Sequence, residues 1–303
     1  MSATPAQAIP APAVCVVTGA NSGIGRATAI HLAGVGYTVW GTVRSLSKAT
    51  KLQAMAQAAG VQVQLVELDV ADDESVRAGF ARVLEATGGV VDVLVNNAGV
   101  GGNAVAEECP TQLYLDVMNI NLCGPARCWQ QVLPGMRARG RGAIVNVTSV
   151  VGRVAALAQS PYVASKWALE GVSEELAQEL APFGVRVAIV EPGVTKSAIF
   201  AKNIDTPRLS DAYDTAYRRM FQMYAAGLAK ATDPIEVGKV VHHAISSPTP
   251  TLRHAVSWGA AELIDGRAAI TDEQWVALGI ADDDEAYYDT FAATFGLNLR
   301  DLG

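Results

Sequence analysis

A doubly wound α/β fold around a parallel sheet is what this 303-residue sequence predicts. Three observations carry the prediction. Short runs of Val, Ile and Leu recur without polar alternation, as in strands covered on both faces. Helical patterns separate those runs at regular intervals. Half the residues are hydrophobic and 17% are charged, a balance that excludes a disordered chain. A chain of this length needs no disulfide or metal staple to hold its core.

The first strand is expected at Val14–Thr18. It runs into a Gly/Asn/Ser turn and an Ala-rich helix from Gly23 to about Gly34. A second strand follows at about Thr38–Val43, then a helix from about Leu46 to Ala59. Val61–Leu68 alternates, as a third strand does. Asp72–Ala86 is expected to be helical, with Asp72 and Asp73 at its positive N-terminal end. Val90–Val95 is an apolar strand. Thr111–Ala138 carries one long helical pattern with a bend expected near Pro125. Ala143–Thr148 is a strand, Tyr162–Pro182 contains a helix, and Val185–Val190 is another strand. After Glu191 the pattern loosens. Thr195 to about Leu228 mixes aromatics, arginines and short helical signals. Pro234–Ser246 reads as a helix and Leu252–Ser257 as a last strand. Trp258–Gly303 is mixed, and its acidic run Asp282–Glu285 suits a solvated cap or tail.

No repeat, low-complexity linker or domain boundary interrupts the pattern. One domain is therefore expected over 13–303, with a segment at about 195–230 covering substrate and a C-terminal extension at about 258–303. Residues 1–12, rich in Ala and Pro, are expected to form a disordered tail. Net charge is −7 with no basic block, which argues against nucleic acid and anionic membranes as partners. No apolar run reaches the ~18 residues of a membrane span. The N-terminus lacks the basic start and apolar stretch of a secretory signal. Cys15, Cys109, Cys123 and Cys128 form no CxxC pair and read as reduced thiols. These features together describe a cytoplasmic protein. His31, His242, His243 and His254 show no metal-ligand spacing, so no metal is expected.

The first chemical motif is Thr18-Gly19-Ala20-Asn21-Ser22-Gly23-Ile24-Gly25, between a strand and a helix. Glycines there permit a tight turn and close approach of backbone to a pyrophosphate, and the helix N-terminus attracts the anion. Taken alone, the motif also fits a structural turn. The second is Tyr162-Val-Ala-Ser-Lys166. Residues i and i+4 share a helix face, so Lys166 can hold its charge near the Tyr162 phenol. A free tyrosine has a pKa of about 10, and a nearby cation favours the phenolate. Lowering it by about 3 units takes roughly 4 kcal/mol and makes a proton donor and acceptor usable near neutrality. Ser149 ends the Ala143–Thr148 strand, thirteen residues before Tyr162, and Asn96-Asn97-Ala98-Gly99 ends another. In a doubly wound sheet these strand ends share the edge where ligands bind. Asn121 lies on the long helix, within Asn119-Ile-Asn-Leu-Cys-Gly124.

With these motifs the sequence resembles the short-chain dehydrogenase/reductase family, in the branch with TGxxxGIG and YxxxK. The resemblance covers about Val14 to Ser197. It includes Leu68-Asp69-Val70 and Glu191-Pro192-Gly193, and weakens towards Trp258. It implies a Rossmann-type fold and hydride transfer between a nicotinamide and a carbonyl or alcohol carbon. Tyr162 would exchange the proton with the substrate oxygen. Lys166 would lower the tyrosine pKa and hydrogen-bond the nicotinamide ribose. Ser149 would orient the carbonyl and stabilise its developing charge. Asn121 would hold a water linking Lys166 to solvent; Asn119 competes, but its spacing from Gly124 is wrong. Gly19, Asn21, Ser22, Gly23, Ile24 and Gly25 would cradle the cofactor phosphates, Asp69 and Val70 would border the adenine, and Asn97, with Ala98 and Gly99, would support the cofactor. Pro192, Gly193 and Thr195 would cover the nicotinamide.

NAD sites usually place an acid at the end of the second strand. Here that position is Val43, and Arg44 follows. An arginine suits a 2′-phosphate, and Ser22 offers a hydroxyl, so NADP(H) is expected over NAD(H), with reduction as the favoured direction. Within the family, Gly41–Arg44, Ala164–Gly171, Pro182–Val185 and Pro250–Arg253 look like the estradiol 17β-dehydrogenase and retinol dehydrogenase group. That group's substrate histidine aligns loosely with Ala216–Tyr224, where Arg218 or a neighbour stands instead. A bulky apolar ketone, aldehyde or secondary alcohol is the expected substrate. Tyr213, Tyr217, Met220, Phe221, Met223 and Tyr224 suit either a substrate-closing segment or core packing. The resemblance implies a homodimer or homotetramer, and Trp167 suits its dimerisation face or the core. The other class of function is a non-catalytic NADP(H)-binding regulatory or scaffold protein, against which the intact Asn121, Ser149, Tyr162 and Lys166 set argues.

Overall fold

The Val-rich segments pair as seven parallel strands: β1 (Val14–Val17), β2 (Thr38–Val43), β3 (Val63–Glu67), β4 (Val93–Asn96), β5 (Gly142–Val147), β6 (Val185–Pro192) and β7 (Arg253–Val256). The spatial order is β3-β2-β1-β4-β5-β6-β7. The computed structural model describes residues 7–197, 199, 206–281 and 283–302. β4, β5 and β6 are buried along their whole length, which explains why they read as apolar runs. Cys15 of β1 lies opposite Val39 on one side and Val93 on the other. Chain order therefore reverses at β1, and the crevice beyond the carboxyl ends of β1 and β4 is where this fold binds ligands.

Helices cover both faces of the sheet. On one, α1 (Gly23–Gly34), α2 (Thr50–Ala58) and Pro234–Ser246 bury Leu32, Leu52, Val237, Val241 and Ile245. On the other, α3 (Asp73–Ala86), α5 (Gly124–Arg139) and α6 (Ser160–Leu180) bury Phe80, Val132, Met136 and Leu169. Each such side chain contributes roughly 1.5–3 kcal/mol of burial free energy. The Asp72 carboxylate caps α3 by accepting from Ser75 N at 2.6 Å.

Four regions depart from expectation. The long 111–138 pattern divides into α4 (Thr111–Met118), a π-helical turn at Asn119–Cys123, and α5. Pro125 lies in the first turn of α5, where its missing N–H costs little, so the irregularity falls at the π turn and not at the proline. The loose 195–228 region contains the regular helix α7 (Asp214–Ala229); residues 198, 200 and 201–205 of that region lie outside the described residues. The disordered tail expected at 1–12 is too long. Ile9 is fully buried, its N–H donates to Ile245 O at 2.8 Å, and Tyr37 Oη donates to its carbonyl at 2.6 Å. Residues 1–6 lie outside the described residues.

The fourth region is the C-terminal stretch. After α8 (Pro234–Ser246), it forms α9 (Ala260–Ala269), α10 (Asp272–Ala277) and α11 (Asp284–Phe295). A capping box between Thr271 and Gln274 starts α10. Asp283 caps α11, while Asp284 pairs with Arg218 and Arg219. The acidic run is therefore a cap and an ion-pair anchor, with Asp282 outside the described residues. Leu263, Phe291 and Phe295 pack with Val150, Val151 and Val154, which follow β5. This third core sits over the carboxyl edge of the sheet.

Candidate active site

The turn after β1 is shaped by two close approaches. Gly19 has φ +67°, and a Cβ there would lie 2.9 Å from Ala98 Cα. At Gly25 it would lie 2.3 Å from Asn97 Nδ2 and 2.5 Å from Gly19 O. The Thr18 hydroxyl accepts from the N–H groups of Asn97 and Ala98, both at 3.0 Å. Asn97 Nδ2 returns a bond to Thr18 O at 2.9 Å. The glycine turn and the end of β4 are thereby locked together beside the N-terminus of α1. Ser22 is the N-cap of α1, yet its side chain makes no capping bond. Its hydroxyl stands at the positive end of the helix.

A cavity of about 1060 Å³ opens over this edge. Its walls include Gly19, Asn21, Ser22, Gly23 and Ile24 from the turn, Asp69 and Val70 after β3, and Asn97, Ala98 and Gly99 after β4. Ser149, Tyr162, Lys166, Pro192, Gly193 and Thr195 complete them. Two of the expected site residues stand behind the wall. Gly25 is packed inside the turn. Asn121 is 1% exposed in the π turn; its Nδ2 donates to Val100 O (2.8 Å) and Ser165 Oγ (2.9 Å), and its Oδ1 accepts from Val100 N (2.9 Å). The side-chain amide thus ties α6 to the loop after β4. Asn119, the competing candidate, bonds Ala71 O and Arg127 on the far side.

Tyr162 lies in the first turn of α6 and Lys166 one turn on. Lys166 Nζ donates to Val147 O at 3.0 Å and lies 5.7 Å from the centre of the Tyr162 ring. Burial pulls the ammonium down to about 8, with Glu170 pulling the other way. Burial also holds the Tyr162 phenol above its ordinary value, and the Ser149 hydroxyl draws it back. In the chain by itself burial therefore pushes the phenol in the direction opposite to the one expected of a neighbouring lysine. Ser149 Oγ accepts from Val151 N at 3.3 Å and donates to Pro192 O at 3.4 Å, which aims it between β5 and β6.

Sequence reasoning missed a buried layer beneath this wall. Thr148, next to Ser149, donates to Glu170 at 2.6 Å, and Arg253 Nε reaches the other oxygen of Glu170 at 3.0 Å. Glu191, next to Pro192, pairs with Arg153 at 3.1 Å and Arg253 at 3.4 Å. Two buried carboxylates and two arginines so fix the backbone on both sides of Ser149. The spacing of Glu170 from Lys166, four residues on the same helix face, is the signal that could have found it.

At the other end Val43 closes β2 in the core and Arg44 reaches the cavity. Arg26 and Lys48 line the same wall, and neither was singled out from the sequence. Arg26 donates to Asn21 O and Asn21 Nδ2 to the Lys48 carbonyl at 3.1 Å, which ties Arg26 and the Lys48 backbone to the turn. At the substrate end the aromatic segment divides: Tyr217 is buried in the core, while Met220, Met223 and Tyr224 reach the cavity beside Trp258 and Phe291. The arginine that reaches the cavity is Arg219; Arg218, with 56% of its side chain exposed, points outward. Residues 219, 223 and 226 share one helix face, which is the periodicity that distinguishes the two arginines.

The described residues contain no helix long and apolar enough to cross a membrane. A family model for the short chain dehydrogenases matches residues 13–208. The human 17-beta-hydroxysteroid dehydrogenase type 1 is 35% identical over 253 residues, covering 80% of this chain and 76% of that protein. A short-chain dehydrogenase structure from Streptomyces avermitilis superposes with a TM-score of 0.76 at 35% identity, over 89% of this chain and 100% of the other. A variant actinorhodin polyketide ketoreductase solved with NADPH superposes with a TM-score of 0.71 at 31% identity, over 84% and 99%. The seven-stranded parallel sheet, the glycine turn against β4 and the Tyr162–Lys166 helix face place this chain in the short-chain dehydrogenase family of oxidoreductases.

Proposed function

We propose that the protein interconverts a ketone or aldehyde and an alcohol with NADP(H), on a bulky, mainly apolar substrate. The observation that carries this reading is the placement of Ser149, Tyr162 and Lys166 on one wall of a cavity whose other end is the glycine turn. The nicotinamide supplies or accepts the hydride when bound. Gly19, Asn21–Gly25, Asp69, Val70, Asn97–Gly99, Pro192, Gly193 and Thr195 hold and orient it. Ser149 holds the substrate oxygen. Tyr162 donates a proton to that oxygen in reduction and takes one back in oxidation. Lys166 binds the ribose and supports the phenol electrostatically. Asn121 fixes the backbone through which a water reaches Lys166. Residues 13–303 act as one catalytic unit, with 195–230 and 258–303 closing over substrate. Incubation of the chain with NADPH or NADH and a panel of ketones and aldehydes tests the reading. Oxidation of NADPH coupled to alcohol formation is expected; tight NADPH binding without turnover on any carbonyl class would identify a binding module.

The NADP(H) preference rests on Arg44 standing where an NAD site carries an acid, with Arg26 and Lys48 beside it. The NADPH bound in the related ketoreductase is consistent with it. Arg44→Asp is expected to raise the NADPH KM by about tenfold or more, the loss of one charge-assisted hydrogen bond, and to lower that for NADH. An unchanged NADPH KM would exclude this assignment.

The assembly is proposed to be a homodimer or homotetramer through the face that exposes half of Trp167 on α6 and Leu115 on the adjoining α4. Light scattering should return two or four times 31.7 kDa; a monomer would refute it. A cytoplasmic setting accords with four free cysteines, three of them buried.

A further inference from the structure

The substrate end of the cavity holds a charge that carbonyl chemistry does not use. Arg219 is 4% exposed and lines the cavity. Its Nε donates to Asp284 at 3.0 Å, and its Nη2 donates to the carbonyls of Ala281 (3.0 Å) and Asp283 (3.2 Å). The guanidinium carbon lies 4.4 Å from the centre of the Tyr287 ring. Three of its five N–H groups are thereby engaged, and among the described residues none accepts from Nη1. Asp284 is shared with Arg218, so one carboxylate serves two guanidiniums. The same cavity is also lined by Met220, Met223, Trp258 and Phe291. The only carboxylate among the described lining residues, Asp69, belongs to the opposite end.

We infer that the substrate carries a carboxylate at the end remote from its reacting carbonyl, and that Arg219 Nη1 donates to it. This deepens the carbonyl reading above and rests on it. A guanidinium so held cannot swing out to solvent, and the donors it has left on the cavity wall favour an anion over a neutral oxygen. Every partner that fixes Arg219 comes from residues 281–287, between α10 and the first turn of α11. The C-terminal extension is then the element that builds the specificity site.

The test uses the full chain with NADPH and three straight-chain aldehyde series over a range of lengths: the plain aldehyde, the ω-oxo acid and its methyl ester. At the best length the acid is expected to exceed both others in kcat/KM by at least about tenfold. Arg219→Met should bring the acid-to-ester ratio to about one, and Arg219→Lys should restore part of it. A wild-type ratio near one at every length, an ester as good as the acid, or a ratio that survives in Arg219→Met would overturn the inference. Melting temperature reports whether the methionine variant folds; if it does not, Arg219→Lys carries the test, with a reduced but present preference for the acid expected and a full one contrary to it. Quenching of Trp258 and Trp275 by saturated fatty acids, against the corresponding alcohols, separates the two readings. Carboxylate-selective quenching that depends on Arg219, without turnover of any aldehyde, would refute the carbonyl chemistry alone. Turnover of plain aldehydes without preference for the acid would refute this inference alone.

Discussion

Lys166→Met is expected to lower carbonyl turnover by about a hundredfold or more and, at pH 7, to make the folded chain more stable. Lys166 is 5% exposed, and burial brings its ammonium down to about 8 from an ordinary 10.5. Between those two values the unfolded chain binds more protons than the folded one, so wild-type stability rises with pH across that window. Below about pH 8 the whole penalty is present, on the order of 3 kcal/mol. Loss of the hydrogen bond to Val147 O returns about 1 kcal/mol of it. The methionine variant should therefore melt a few degrees higher at pH 7, and the difference should shrink as pH rises towards 10. A variant that melts lower at pH 7, by an amount independent of pH, would show that Lys166 is a structural residue. The expected pattern is the exchange of stability for activity that active sites make.

Helix and strand limits were most legible where glycine, proline or a capping residue punctuates the sequence. Gly23–Gly34, Thr38–Val43 and Pro234–Ser246 have the bounds that the sequence indicates: a glycine turn opens the first, and Asp233 with Pro234 opens the last. Regularity was hidden where a helix has no single apolar face. α7 touches the core through Tyr217, the cavity through Met223 and solvent through Arg218, so its pattern reads as broken. The π turn at Asn119–Cys123 has no compositional mark. Ile9 was misjudged because one buried side chain in an Ala/Pro stretch leaves no periodicity.

The site divides in the same way. Motif spacing brought Ser149, Tyr162 and Lys166 to one wall because strand ends and helix faces follow from local geometry. Electrostatics did not follow from spacing. Whether a lysine acidifies a phenol depends on how much water each loses, and here both are desolvated. Helical spacing can say which face Arg219 and Glu170 occupy, but their ion-pair partners lie 65 and 83 residues away, and no local pattern encodes those.

Tyr162→Phe removes one oxygen and keeps the ring that packs among Val150, Val151 and the C-terminal aromatics. Because burial holds the phenol above its ordinary value, Tyr162 is neutral at pH 7 and poised to give a proton to an alkoxide forming beside Ser149. Phenylalanine cannot give that proton, and water is a poor substitute in a largely apolar cavity. General acid catalysis by a positioned group is worth about 100- to 10,000-fold, so a loss of about a thousandfold in kcat is expected, with NADPH still bound and the melting temperature little changed. The most direct measurement is the single-turnover rate of NADPH oxidation by a carbonyl substrate, taken on NADPH-saturated wild type and Tyr162→Phe side by side at pH 7. The account predicts a rate about a thousandfold lower in the variant; a rate within about tenfold of wild type would contradict it.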